Sequence, residues 1–202
     1  MNQTTPTQKK SLTLAMAERF GVEPDHLMNA LKTTVFKGRN GETPTDAQMV
    51  ALLLVSQQYN LNPFTKEIYA FPTKDGGIVP IVGVDGWNRI INEHPEMDGI
   101  EFVESPDWVT PEGGKPCPTW IECVIYRKDR KHATKVKEYL DEAYKPPVTK
   151  KGQYGDYTID SPWQTHTKRF LRHKAEIQCS RIAFGYTGIY DQDEAERIVE
   201  RE

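Results

Sequence analysis

Thr119-Trp-Ile-Glu-Cys-Val-Ile-Tyr-Arg-Lys-Asp-Arg-Lys-His-Ala-Thr-Lys-Val-Lys-Glu-Tyr-Leu140 reads as two strands around a charged turn. From Thr119 to Tyr126, Ile121, Cys123 and Ile125 alternate with Trp120, Glu122, Val124 and Tyr126. That period of two suits a strand with one face on a core. Arg127–His132 is too densely charged to bury, so the chain turns there and returns as a second strand over Ala133–Leu140. Strands joined this tightly pair antiparallel, because parallel neighbours need a long crossover.

Upstream, Lys66–Pro72 and Ile78–Val82 carry strand-favouring residues around Asp75-Gly76-Gly77, whose glycines tolerate the positive φ of a hairpin turn. Gly83-Val84-Asp85-Gly86 follows. Its GxxG form is shared with loops that clamp a nucleic-acid backbone, but a tight turn into a short helix over 86–93, capped by Asp85, explains it better. Further upstream, Thr45 and Gln48 have capping-box spacing and open a helix to about Tyr59, apolar enough (Met49, Val50, Leu52–Val55) to be buried on most sides. Ser11–Phe20 and Asp25–Phe36 read as two short helices separated by Gly21 and Pro24, with Leu27, Ala30, Leu31 and Thr34 on one stripe. Residues 1–10 read as a disordered arm. Ser105–Pro118 and Asp141–Asp160 read as surface loops. Past Ser161-Pro162 a long helix runs from about Trp163 to Phe184, and an acidic helix starts near Asp191. The order predicts an α+β fold, a small antiparallel sheet and hairpin packed by helices, in one domain over 11–202.

Several function classes lack their residues. There is no GxxxxGK[ST] loop to cradle a nucleotide's phosphates, no HExxH, no calcium loop and no paired CxxC. His26, His94, His132, His166 and His173 are scattered, and Glu67, Asp85 and Glu122 have no spacing that would hold Mg²⁺. The expectation is a protein without catalytic residues, metal or cofactor. Cys117, Cys123 and Cys179 read as reduced thiols. The longest apolar run, Val50–Val55, cannot cross a bilayer, and the N-terminus has no apolar leader, so a cytoplasmic, non-membrane protein is expected.

The formal net charge is −3, yet charge is segregated along the chain. Nine Lys and Arg lie between Arg127 and Lys151 against four acids, and Lys168, Arg169, Arg172, Lys174 and Arg181 face Glu176 alone between Ser161 and Gly185. From Asp191 onward the balance reverses. A DNA-binding surface needs a local positive field, not a positive total. At 100° per residue, Lys168, Arg169 and Arg172 share one 100° arc of the long helix, whereas Lys174 and Arg181 lie roughly opposite. Phe170, Ile177 and Phe184 form one apolar line and Leu171, Ala175 and Ile182 another, so this helix meets a core and something anionic together. Trp163, Tyr154 and Tyr157 lie close by in sequence, and aromatics among cations are the material of single-strand binding.

Three blocks carry a resemblance. The first runs from Tyr59-Asn-Leu-Asn-Pro-Phe-Thr-Lys-Glu-Ile-Tyr-Ala-Phe-Pro72 into Gly77-Ile-Val-Pro-Ile-Val-Gly-Val-Asp-Gly-Trp87. The second is Pro162-Trp-Gln-Thr-His with Lys168-Arg-Phe-Leu-Arg-His-Lys-Ala175, and the third is Ile177-Gln-Cys179, Arg181 and Ala183-Phe-Gly185. From about residue 14 onward the chain resembles the RecT/Red-beta family of phage single-strand annealing proteins, nearer its lambda Red-beta branch. The resemblance implies an ATP-independent protein of bacteriophage recombination that coats single-stranded DNA as a homo-oligomeric ring or helical filament and anneals it into duplex. Mg²⁺ would aid annealing without a dedicated site. The non-annealing alternative is a single-strand protector. The DNA contacts it implies are Lys66 and Lys74 around the hairpin, then Lys168, Arg169, Lys174 and Arg181, with Trp163 as a further candidate. Arg172 joins them through its place on the cationic arc. A phage 5′→3′ exonuclease and the host single-strand binding protein are the family's partners. They dock on a further C-terminal helical domain, and with the sequence ending at Glu202 the expectation is the core without that region. The Ser105–Pro118 loop is longer than in the lambda branch, and Gln192 stands where that branch has lysine, so Gln192 is not assigned to DNA. An apolar surface for self-association is expected on Leu12–Phe36.

Overall fold

The computed structural model describes residues 11–36, 43–153 and 155–201. The arm expected over residues 1–10, and Tyr154, lie outside them. The helices and strands are, in chain order, α1 Leu12–Phe20, α2 Pro24–Thr34, α3 Asp46–Gln58, β1 Ile68–Pro72, β2 Ile78–Val82 and α4 Val84–Asn92. Then come β3 Met97–Glu104, β4 Trp108–Val109, β5 Cys117–Pro118, β6 Trp120–Arg127, β7 Thr134–Tyr139, α5 Leu140–Ala143, β8 Val148–Gly152 and β9 Gly155–Ile159. The chain closes on α6 Pro162–Thr165, α7 Thr167–Phe184 and α8 Gln192–Arg201. The fold is α+β with antiparallel sheets, and it comprises two compact units, one from the chain up to Ile90 together with the chain from Gly188, the other Ile91–Thr187.

In the first unit the helix ends follow local chemistry. Ser11 accepts the Leu14 N–H at 3.2 Å to start α1, and Gly21, at φ 66°, stops it by offering its own N–H back to the last turn. Thr45 and Gln48 close the expected capping box on α3 at 2.9 and 3.2 Å. That helix buries Met49, Leu52 and Leu53 but leaves Leu54 54% exposed, so it is covered on fewer sides than its composition suggested. β1 and β2 pair from Ile68↔Val82 to Pro72↔Ile78 around a loop in which Gly76 takes φ 88°. Val79 and Ile81 of this hairpin pack against Ala195 and Val199 of α8. A reciprocal box between Asp191 and Glu194, both bonds 3.1 Å, starts α8.

The GxxG segment is a packing device. Helix α4 begins at Val84, two residues earlier than a cap at Asp85 would require, with the Gly83 carbonyl accepting from the Trp87 N–H. Asp85 instead sits in the first turn, where a carboxylate favours the helix dipole. A Cβ on Gly86 would come within 2.4 Å of the Glu67 carbonyl oxygen, and one on Gly83 within 3.0 Å of the Lys66 carbonyl. Both glycines are there because backbone meets backbone.

The second unit is a three-stranded sheet, order β3-β6-β7, with α7 lying across β6 and β7. Ile121, Cys123 and Ile125 turn inward as the alternation predicts, against Leu171, Ala175, Cys179 and Ala183. This contact line follows the i+4 row, which winds round the helix axis and inclines to it. Ile182, expected on the Leu171–Ala175 line, is left behind by that winding and is 63% exposed. Strand β3 completes the sheet, from Met97↔Arg127 to Glu104↔Ile121. The predicted helix from Trp163 is interrupted at His166 (φ −142°, ψ 49°), so α6 and α7 are separate. The Ser161–Gln164 box caps α6, and the Thr167 hydroxyl donates to the Trp163 carbonyl at 2.7 Å across the break. Residues 141–160, read as a loop, contain the β8–β9 hairpin, with Lys150 opposite Tyr157. All three cysteines are buried and unpaired. Burial pushes the Cys117 thiol up to about 11, and the Cys179 thiol donates to the Cys123 and Thr134 carbonyls at 3.4 Å each.

Candidate nucleic-acid interface

The first two turns of α7 present Lys168, Arg169 and Arg172 to solvent, on the arc that helical spacing assigns them. Their opposite neighbours are held by the core, which fixes where the cations point. Lys168 Nζ pairs with Glu104 Oε1 at 3.0 Å and lies 5.2 Å from the centre of the Trp108 ring. Arg172 rests its guanidinium 5.7 Å from the Phe102 ring centre. Among the described residues neither Arg169 nor Arg172 has a carboxylate partner. The pairing of Arg172 with Glu176, four residues on, is therefore not made, and Glu176 instead faces His173 at 3.8 Å.

These three side chains line an open cavity of about 320 Å³ together with Lys115, His166 and Glu104. Four permanent cations thus surround one carboxylate. Lys115 reaches the cavity because its backbone N–H donates to the Thr167 hydroxyl at 2.8 Å, tying residues 105–118 to the start of α7. Such a concave positive surface attracts phosphate more strongly than the same charges spread over a flat face.

The other candidates divide. Trp163 is 1% exposed and packs edge-on to Tyr144 and Phe170, with ring centres 5.7 and 5.5 Å away. Its indole belongs to the core of this unit, where no base can stack on it. Lys174 is 9% exposed and Arg181 half-buried, both on the side of α7 away from the cationic arc, and both are engaged in interactions. Lys66 and Lys74 are exposed and belong to the first unit. Lys66 holds φ 60° in the turn before β1, and Lys74 stands in the hairpin loop. Tyr157, half open on the β9 hairpin, is exposed as stacking would require.

Part of the positive stretch after β6 is structural. Arg127 grips Asp129 at 2.6 Å, donates to the Ala183 carbonyl and lies 5.6 Å from the Phe184 ring centre, while Lys128 donates to the Pro95 carbonyl at 3.2 Å. The Arg127 hydrogen bond holds the Asp129 carboxyl below its ordinary range. Gln192, not assigned to DNA, bonds Glu196 at 2.8 Å and accepts from the Tyr69 hydroxyl at 3.1 Å. Sequence reasoning missed Lys115, His166, Glu104 and Trp108. A tryptophan among Pro, Gly and acidic residues, outside any apolar period, was the available signal for Trp108. Among the described residues no group of three or more His, Cys, Asp or Glu could hold a metal ion, and no helix is long and apolar enough to cross a membrane.

An α+β unit whose cationic helix lines an open, positively charged cavity has the build of a nucleic-acid-binding class of protein, and the comparisons place it: the chain belongs to the RecT family, which it matches over residues 25–202. It is similar to Recombination protein bet of Escherichia phage lambda, with 50% identity over 198 residues, 96% of this chain and 68% of that protein.

Proposed function

We propose that the protein binds single-stranded DNA and anneals it to a complementary strand in phage recombination, with no catalytic residue, cofactor or nucleotide hydrolysis. The observation that carries the reading is the exposed Lys168–Arg169–Arg172 arc lining a cavity with Lys115, in a chain of the RecT family. Phosphates bound there release counterions, which makes affinity depend on salt and hardly on sequence. Base edges stay free for the second strand. Pairing then supplies the specificity, and the protein lowers the repulsion between the strands. One subunit covers few nucleotides, so useful pairing calls for a homo-oligomer, a ring or filament, to which the exposed Leu14 of α1 and Val22 of the turn after it contribute apolar surface. Lys66 and Lys74 would add phosphate contacts of their own, Mg²⁺ would assist by screening, and an exonuclease and a host single-strand binding protein would supply and hand over the strand.

The test is order of addition. The protein is given one oligonucleotide and then its complement, and the stability of the resulting complex is compared with that on the single strand. A tighter, slowly dissociating complex on sequential addition is expected. A complex that holds the first strand and slows pairing identifies a protector instead.

Glu104 offers a second check. Its carboxylate occupies Lys168 and faces the cavity, so it competes with phosphate. Exposed ion pairs of this kind contribute only about 0–1 kcal/mol to folding, so Glu104→Gln leaves the fold intact. Single-strand affinity, measured by fluorescence anisotropy, is expected to rise several-fold at low salt and the gain to shrink as salt screens it. Unchanged or weaker binding at low salt would remove Glu104 from the interface.

A further inference from the structure

Residues 105–118 do not hang loose. The Ser105 and Thr119 hydroxyls bond at 2.8 Å, the Thr119 N–H donates to the Asp107 carbonyl at 2.9 Å, and the Tyr144 hydroxyl donates to the Glu112 carbonyl at 2.6 Å. Trp108 and Val109 pair with Pro118 and Cys117, and Cys117 is fully buried. The segment is thus pinned at its base, at its middle and, through Lys115, on Thr167. On this fixed support Trp108 remains 49% exposed, whereas Trp87 and Trp163 are buried and Trp120 is half-buried beneath Lys137. Core packing does not account for an indole held half in water by a pinned loop. Its neighbour does, because Lys168 belongs both to the ring and to the cationic cavity.

We propose that Trp108 is a base-stacking platform: a nucleotide whose phosphate sits among Lys115, Lys168, Arg169 and Arg172 lays its base on the Trp108 indole. Every base has a π-face, so stacking adds affinity without sequence preference, and it holds one base in a defined plane beside its phosphate. The loop thereby supplies the aromatic that sequence placed at Trp163. This inference rests on the reading of the cavity as a DNA-phosphate site and adds to it a contact made to the base.

The experiment compares a thymidine oligonucleotide with an abasic strand of equal length and charge, on the full chain. Trp108→Ala is expected to weaken binding of the thymidine strand by roughly 5- to 150-fold, the range that loss of one stacked base produces. The abasic strand should bind as to the parent protein, and the slope of affinity against salt should not change. Trp108→Phe, which keeps an aromatic face, should recover most of the loss. Equal binding of the thymidine strand by Trp108→Ala and the parent overturns the proposal, and so does an equal loss on both strands. The Lys168→Ala/Arg169→Ala variant separates the two failures. If it loses both strands while Trp108→Ala loses neither, the phosphate site stands and the stacking platform falls. If it binds both strands normally, the phosphate site falls and the platform with it.

Discussion

Replacing Lys168 and Arg169 together by alanine is expected to weaken single-strand binding by roughly 100-fold or more near physiological salt, because hydrogen bonds to a charged partner contribute about 1.5–3 kcal/mol each and two are lost. The salt dependence should flatten as well. Each phosphate contact on a single strand contributes about 0.7 to the slope of log affinity against log salt, so losing two lowers it by about 1.4. The fold should survive. Both side chains are exposed, and the one ion pair removed, Lys168 with Glu104, lies at the surface. Surface changes of this kind usually alter stability by less than about 0.5 kcal/mol. Titrating the variant and its parent at two salt concentrations, with thermal melts alongside, checks all three statements. Equal binding at both concentrations would take the helix out of the interface.

Trp163→Ala should have the opposite signature. Its indole is 1% exposed, between Tyr144 and Phe170 and over the sheet's inner face. Removing a buried aromatic costs about 3–5 kcal/mol, the sum of lost transfer free energy and the cavity left behind. Edge-to-face contacts with two rings raise the figure toward the upper end, at about 0.5–1.5 kcal/mol per pair beyond area. The variant is therefore expected to unfold at markedly lower denaturant, and its folded fraction, measured at low temperature, to bind DNA as the parent does. A variant that keeps its stability and loses binding would return Trp163 to the surface role.

These outcomes bear on how the site was legible. The arc of Lys168, Arg169 and Arg172 follows from helical geometry alone, since three cations within 100° emerge on one side wherever the helix packs. Lys174 and Arg181 carry equal charge, but their exposure depends on what covers the other side of α7, which no local rule states. Trp163 and Trp108 exchange roles for the same reason. Propensity treats both as large apolar rings, and only the tertiary contacts decide which ring is sealed by Tyr144 and Phe170 and which is left beside Lys168. Strand β3 and the β8–β9 hairpin went unread because their pairing partners, not their composition, make them strands.

By itself the sequence determined the α+β class, the capping box at Thr45, the hairpin at Gly76 and the inward row Ile121, Cys123 and Ile125. All of these are short-range, set by backbone dihedrals, hydrogen bonds three residues apart and strict periodicity. The tertiary structure alone decided that Gly83 and Gly86 serve a close approach to the backbone at Lys66 and Glu67, that Lys115 joins Lys168 across fifty residues, and that Trp108 rather than Trp163 faces solvent. Such choices depend on which surfaces meet when distant segments pack, and burial is a property of the assembled neighbours, not of the residue.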